Sequence, residues 1–158
     1  MQTYIGSKLV RMMPMTRQEY NDFRGWTLPA DENGADEGYL VEYLDGGKPN
    51  TPNYEGYVSW SPKAQADRAY RPVDGMSFGL AIEALKLGKR VARAGWNGKG
   101  MFLGLVPLHA YMVFGDTLFA EEGRRPLPWI AIKTADNCVL PWVSSQTDML
   151  ADDWQIVD

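Results

Sequence analysis

The sequence predicts an α+β fold: a short antiparallel sheet with a packed helix in a C-terminal unit, preceded by a smaller β-α-β-β-α unit. Three observations carry that prediction. Sixteen glycines and ten prolines among 158 residues cut the chain into short segments, which favours short strands over long helices. The apolar runs are rich in aromatic and β-branched residues, as in Gly38–Leu44 and Trp129–Thr134, which is strand composition. Helical spacing is confined to a few stretches, the clearest being Phe78, Ile82 and Leu85. The run Arg71-Pro72-Val73-Asp74-Gly75 reads as a linker, dividing the chain into residues 1–74 and 75–158.

In the first unit, Thr3–Met12 is expected to form a strand. Thr16-Arg17-Gln18-Glu19 then matches a capping box, with Met15 and Tyr20 placed for a hydrophobic staple. The helix it starts is about two turns long, and Gly25 is suited to close it. Residues 27–37 (TLPADENGADE) form an acidic, turn-rich loop. Strands follow at Gly38–Leu44 and Tyr57–Trp60. Ser61 and Pro62 then read as N-cap and first residue of a short helix reaching about Tyr70.

In the second unit, Ser77 is the expected N-cap and Gly88 the stop of the Phe78–Leu85 helix. A hairpin follows, with Asn97-Gly98 as its two-residue turn. A variable middle, Leu108–Pro128, leads to a second hairpin, Trp129–Thr134 and Cys138–Val143, turned by Ala135-Asp136-Asn137. In the polar elbow Ser144–Asp148, Thr147 or Asp148 is expected to cap one helical turn over Met149–Ala151. The strand Trp154–Val157 comes last. No internal repeat or low-complexity stretch is present.

The strands of this unit are apolar on both faces. Met101, Leu103 and Leu105 alternate with Phe102 and Val106, and Ile130 and Ile132 with Trp129 and Ala131. Such strands are covered on both sides, and one short helix cannot do that alone. Either the first unit or another subunit supplies the second cover, and oligomerisation is the favoured reading. Gly104 reads as a close-packing position on such a strand.

Composition sets bounds on function. Hydrophobic residues make up 45% and aromatics 12%, which excludes a disordered chain. A formal net charge of -4 is unsuited to coating a nucleic-acid backbone. One cysteine, Cys138, excludes an internal disulfide and a cysteine metal cluster, and one histidine, His109, excludes a histidine-rich metal site. No signal-peptide core and no run of ~20 apolar residues is present, so a soluble cytosolic protein is expected.

Three features can carry chemistry. Lys86, Lys89, Arg90, Arg93 and Lys99 lie between Glu83 and Asp116 with no acid among them. Arg93 and Lys99, beyond the reach of a helix dipole, can hold an anion together with backbone N–H groups of the glycine-rich turn. The alternative is an ordinary solvated helix end. Trp96, flanked by Gly95, Gly98 and Gly100, offers a face on which a nucleobase can stack, or packs across the hairpin. Ser145, Gln146, Thr147 and Asp148 supply donors and acceptors for a base edge or a ribose diol, or simply form a capping turn. Catalysis is poorly supported: His109 has no nucleophile motif beside it, and Asp148, Asp152 and Asp153 all have capping or surface explanations. No catalytic and no metal-binding residue is assigned.

At this point the residues carry a resemblance. MSFGLAIEALK at 76–86, VARAGWNGKGMF at 91–102, KTAD at 133–136 and PWVSSQTDMLADDW at 141–154 together resemble a small phage-encoded family, the second Thoeris anti-defence family, over residues 76–157. That resemblance implies a non-enzymatic sponge. Such proteins bind a glycocyclic ADP-ribose signal made by a bacterial TIR-domain defence enzyme and release it intact. Some also hold cyclic dinucleotides at a separate site. They assemble as homotetramers with pockets between subunits, and act in the host bacterial cytoplasm without cofactor, nucleic acid or membrane.

The family's WNG tryptophan, a base contact, falls on Trp96, followed by Asn97 and Gly98. Its polar wall falls on Ser145, Gln146, Thr147 and Asp148. Arg93 and Lys99 come from the charge pattern alone, as phosphate partners. The first unit resembles a module found ahead of this domain in some phage proteins, and no role transfers to it. Ligand contacts in Leu108–Pro128, including Arg124 and Arg125, do not transfer either. Two other classes remain open: a phage structural or protein-interaction module with the first unit as adaptor, and a nucleotide hydrolase acting through Asp148 or Asp153.

Overall fold

The computed structural model describes residues 1–4, 6–107 and 127–157. His109, Arg124, Arg125 and most of the variable middle lie outside the described residues. The chain divides into two compact units, Met1–Arg71 and Pro72–Asp158. The architecture is α+β, with antiparallel sheets and short helices.

The first unit runs β1 (Val10–Pro14), α1 (Arg17–Arg24), β2 (Gly38–Tyr43), β3 (Tyr57–Pro62) and α2 (Lys63–Ala69). Its sheet has the order β1-β2-β3. The first strand begins later than the sequence suggests. Val10 lies opposite Tyr43, the last residue of β2, and upstream of it the ladder thins to one bond, from the Leu44 N–H to the Leu9 carbonyl at 3.3 Å. The last strand also runs on: Ser61 and Pro62 pair with Tyr39 and Gly38. Pro62 is tolerated there because β3 is an edge strand, and α2 starts one residue later than expected. The carbonyl of Glu37 accepts the Lys63 N–H at 3.0 Å, standing in for the missing side-chain cap.

The capping box at Thr16 forms as its spacing predicts, with both reciprocal bonds present. Gly25, at φ 67°, closes α1 in the left-handed region. Tyr20, Leu40 and Val58 make a small core, with Met15, Tyr54 and Trp60 packed on it. On the other sheet face, Tyr39 donates to Asp67 of α2 at 2.9 Å, next to the fully buried Val41.

The second unit runs α3 (Phe78–Lys86), β4 (Arg90–Arg93), β5 (Phe102–Val106), β6 (Trp129–Lys133), β7 (Val139–Pro141), α4 (Gln146–Met149) and β8 (Trp154–Val157). The five strands form one sheet in the order β7-β6-β5-β4-β8. Gly88, at φ 77°, ends α3; its N–H reaches the Leu85 carbonyl and the next N–H, Lys89, reaches Ala84. This is the paired closure that a glycine after the last turn permits.

Alternation along the strands puts Val91, Leu103 and Ile156 on the face that α3 covers. There they join Ala81, Ala84, Leu85 and the fully buried Trp154 in one core, with Leu105, Ile130 and Ile132 packed at its margin. The opposite face carries Ala92, Phe102, Gly104, Val106, Trp129 and Ala131. The Arg90 guanidinium lies 4.8 Å over the Phe102 ring on that side. Among the described residues, a Cβ placed at Gly104 meets nothing within 4 Å; its cross-strand neighbour is the small Ala131.

Residues before α3 are woven into the sheet edge. Met76 and Trp154 exchange both backbone bonds, at 2.7 and 3.1 Å, and the Val73 carbonyl accepts from Ile156 at 2.8 Å.

Two turn expectations are corrected. Asn97 and Gly98 do not form a two-residue hairpin turn: neither has the positive φ that turn requires. The β4–β5 connection instead takes all of residues 94–101, and β4 pairs with β5 only at Val91–Leu103. At the elbow the cap is Ser145, not Thr147 or Asp148, so α4 starts at Gln146. The reason is Asp148 itself, whose carboxylate folds back onto Ser145.

Candidate functional site

The long β4–β5 loop carries Trp96 and is fastened at its root. Arg93, the last residue of β4, donates from Nε to Asp153 Oδ1 at 2.7 Å and from Nη1 to Asp148 Oδ1 at 3.0 Å. Asp153 Oδ2 also accepts the Gly95 N–H at 3.0 Å, and the Asp153 carbonyl accepts the Ala94 N–H at 3.0 Å. The Arg93 side chain is 21% exposed, Asp148 14% and Asp153 35%. Partial shelter of this kind gives an ion pair more weight than a solvated surface pair has.

Trp96 sits beyond that root, half-buried. Its ring meets the edge of Trp154 at 5.5 Å and 76°, a favoured aromatic geometry. Its indole Nε1–H donates to Asp148 Oδ1 at 3.4 Å. The Trp154 Nε1–H in turn donates to the Asp148 carbonyl at 3.0 Å. The indole is therefore pinned on one side by core aromatic surface and at one edge by a carboxylate.

Asp148 connects these parts. Oδ1 accepts from Arg93 and Trp96, while Oδ2 accepts from the Ser145 amide at 3.3 Å and the Ser145 hydroxyl at 2.7 Å. Burial pushes its carboxyl upward, but the bonds from Ser145, Arg93 and Trp96 outweigh it and leave the pKa below the ordinary value. Asp153 is also held low, first by the Arg93 bond, against burial, with help from the Gly95 amide. Both stay ionised at neutral pH.

The structure thus brings Arg93, Trp96, Ser145 and Asp148 together, with Thr147 joined through its hydroxyl at 2.8 Å from Ser145 Oγ. Arg93 faces two carboxylates rather than open solvent, so its charge is already answered within the chain. Asn97, Lys99 and Gln146 are exposed. Among the described residues Lys99 forms no ion pair, and the backbone N–H groups of Asn97, Gly98, Lys99 and Gly100 donate to nothing. Consecutive unpaired amides beside a lysine suit an anion. Lys86 is engaged with Glu83 at 2.6 Å. The described residues contain no group of His, Cys, Asp or Glu able to hold a metal, and no helix among them is long and apolar enough to cross a membrane.

Sequence reasoning names Asp153 only as a possible hydrolase carboxylate and misses Trp154 as a member of this corner. The signal that joins them to it is position: they follow α4 closely, and Trp154 begins the strand that pairs with β4, at Arg93–Trp154.

Comparison with known proteins closes on the same half of the chain. Residues 76–157 match the family model described as a Thoeris anti-defense 2-like domain. Over 84 residues the chain is 51% identical to a protein of Bacillus phage SP01 named Thoeris anti-defense 2, covering 52% of this chain and 94% of that protein.

Proposed function

Since the chain belongs to the Thoeris anti-defense 2-like family of phage anti-defence proteins, we propose that it binds a nucleotide immune signal of the glycocyclic ADP-ribose type and sequesters it without degrading it. The observation that carries this reading is the half-buried indole of Trp96, fixed by Trp154 and Asp148 and followed at once by four unpaired amides and Lys99. The indole stacks the base, an interaction of about 1–3 kcal/mol. The amides of Asn97, Gly98, Lys99 and Gly100, with the Lys99 ammonium, hold the pyrophosphate. Gln146 and the Thr147 hydroxyl meet the base edge or the ribose hydroxyls, beside Asn97.

In this reading Arg93, Ser145 and Asp148 support the site by fixing Trp96, and the geometry favours that role for Arg93 over direct phosphate contact. A homotetramer with pockets between subunits, working in the host cell, completes the proposal. Cyclic dinucleotides are further candidate ligands, at a separate site. The first unit, residues 1–74, is an accessory module that precedes the ligand-binding domain, 75–158, in the chain.

The test is to load the protein with glycocyclic ADP-ribose, isolate the complex, heat it and identify the released nucleotide. Intact signal supports sequestration; a degraded product identifies an enzyme instead. Trp96→Ala is expected to abolish binding while leaving the circular dichroism spectrum and the assembly state unchanged. Normal binding by Trp96→Ala sinks the site assignment.

A further inference from the structure

We infer that Asp153 is a positioning residue for Trp96, setting the orientation of the indole through the loop root without touching ligand. The inference rests on the ligand-binding reading of Trp96. One carboxylate here holds both ends of a short lever. Oδ1 takes the Arg93 Nε at the end of β4, and Oδ2 takes the Gly95 amide two residues on, immediately before Trp96. The Asp153 carbonyl fixes Ala94 between them. Three consecutive residues ahead of the indole are therefore bound to a single residue of the C-terminal segment.

Gly95 is part of the device. A Cβ at this position would lie 3.1 Å from Asp153 Oδ2, so a larger residue crowds the carboxylate that holds the loop. The same guanidinium also reaches Asp148, the acceptor of the Trp96 indole. Releasing the Asp153 carboxylate thus frees the Gly95 amide and leaves Arg93 with a single carboxylate. A loop that must be ordered on binding costs affinity, and one already ordered does not.

The experiment uses the full chain labelled with ¹⁵N at the tryptophan indoles. The Trp96 signal is assigned by its loss in Trp96→Phe. In Asp153→Asn, which keeps the size of the side chain, the Trp96 indole signal is expected to shift or broaden while that of Trp154 stays in place. Affinity for glycocyclic ADP-ribose, read by calorimetry, is expected to fall about tenfold, and Asp153→Glu to recover part of it. An unmoved Trp96 signal, or wild-type affinity, in Asp153→Asn overturns the inference. Failure of the ligand-binding reading looks different: the wild-type protein itself binds no nucleotide, while Asp153→Asn still displaces the Trp96 signal.

Discussion

The two capping boxes of this protein share a local geometry and differ in reach. At the start of α1, Thr16 accepts the Glu19 amide at 3.3 Å and the Glu19 carboxylate accepts the Thr16 amide at 2.7 Å. At the start of α4, Ser145 accepts the Asp148 amide at 3.1 Å and Asp148 accepts the Ser145 amide at 3.3 Å. Glu19 is exposed, and its box serves an eight-residue helix and nothing else. Asp148 is sheltered, and its second oxygen takes Arg93 and Trp96. The four-residue α4 is too short to need strong capping for its own sake. The difference teaches that a cap with one oxygen free becomes a joint: it satisfies a helix end and orients side chains from another element.

The comparison breaks most severely at Trp154, which joins the second box to the core. Trp154→Ala is expected to cost about 3–5 kcal/mol and to unfold the second unit in urea at concentrations that leave the first intact by its own spectroscopic signals. Asp148→Ala should cost about 2 kcal/mol, measured by chemical denaturation, and should also release Trp96, seen as stronger acrylamide quenching.

Acid tests the joint without mutation. Asp148 and Asp153 have folded pKa values below their ordinary ones. Their stabilisation is therefore complete above the ordinary carboxylate range near pH 4 and is lost as pH falls through the lowered folded values. Glu19 is lowered too, by the Thr16 amide and hydroxyl, so both boxes weaken in acid. Only the second should carry the Trp96 indole signal with it, and Asp148→Asn should reduce that acid response to the part that runs through Asp153. If Trp96 does not respond to acid in the wild-type protein, Asp148 is no joint.

Smaller effects sharpen the contrast. Thr16→Ala is expected to cost about 1 kcal/mol in thermal denaturation with Trp96 undisturbed. Gly95→Ala should cost about 0.5 kcal/mol, yet shift the Trp96 indole signal, because it displaces the Asp153 carboxylate and not the core.

Sequence reached these features unequally, for physical reasons. The Thr16 box was legible because both partners are three residues apart and Met15 and Tyr20 flank them as a hydrophobic staple. The Phe78–Leu85 stripe and the glycine stop at Gly88 were legible on the same local grounds. The Ser145 box was displaced by two or three residues, since Ser, Thr and Asp all cap well and only the fold decides among them. Asn97-Gly98 has the composition of a tight turn, but the tertiary anchors on Arg93 and Gly95 hold the loop open. Pairing of Arg93 with Asp153 spans 60 residues, and no local spacing encodes it. The candidate site was thus visible as residue types at Trp96 and Ser145–Asp148, while the wiring between them was not.

The backbone exchange between Met76 and Trp154, with Val73 receiving Ile156, decides where the gene can be cut. The family match begins at residue 76, but the hydrogen bonding that seals β8 begins at Val73. A fragment starting at Pro72 retains that seal and should stay monodisperse in its sheet edge. One starting at Ser77 exposes the Trp154 and Ile156 backbone as an open strand edge, an invitation to aggregate. The minimal expressible domain is therefore longer than the minimal recognisable one.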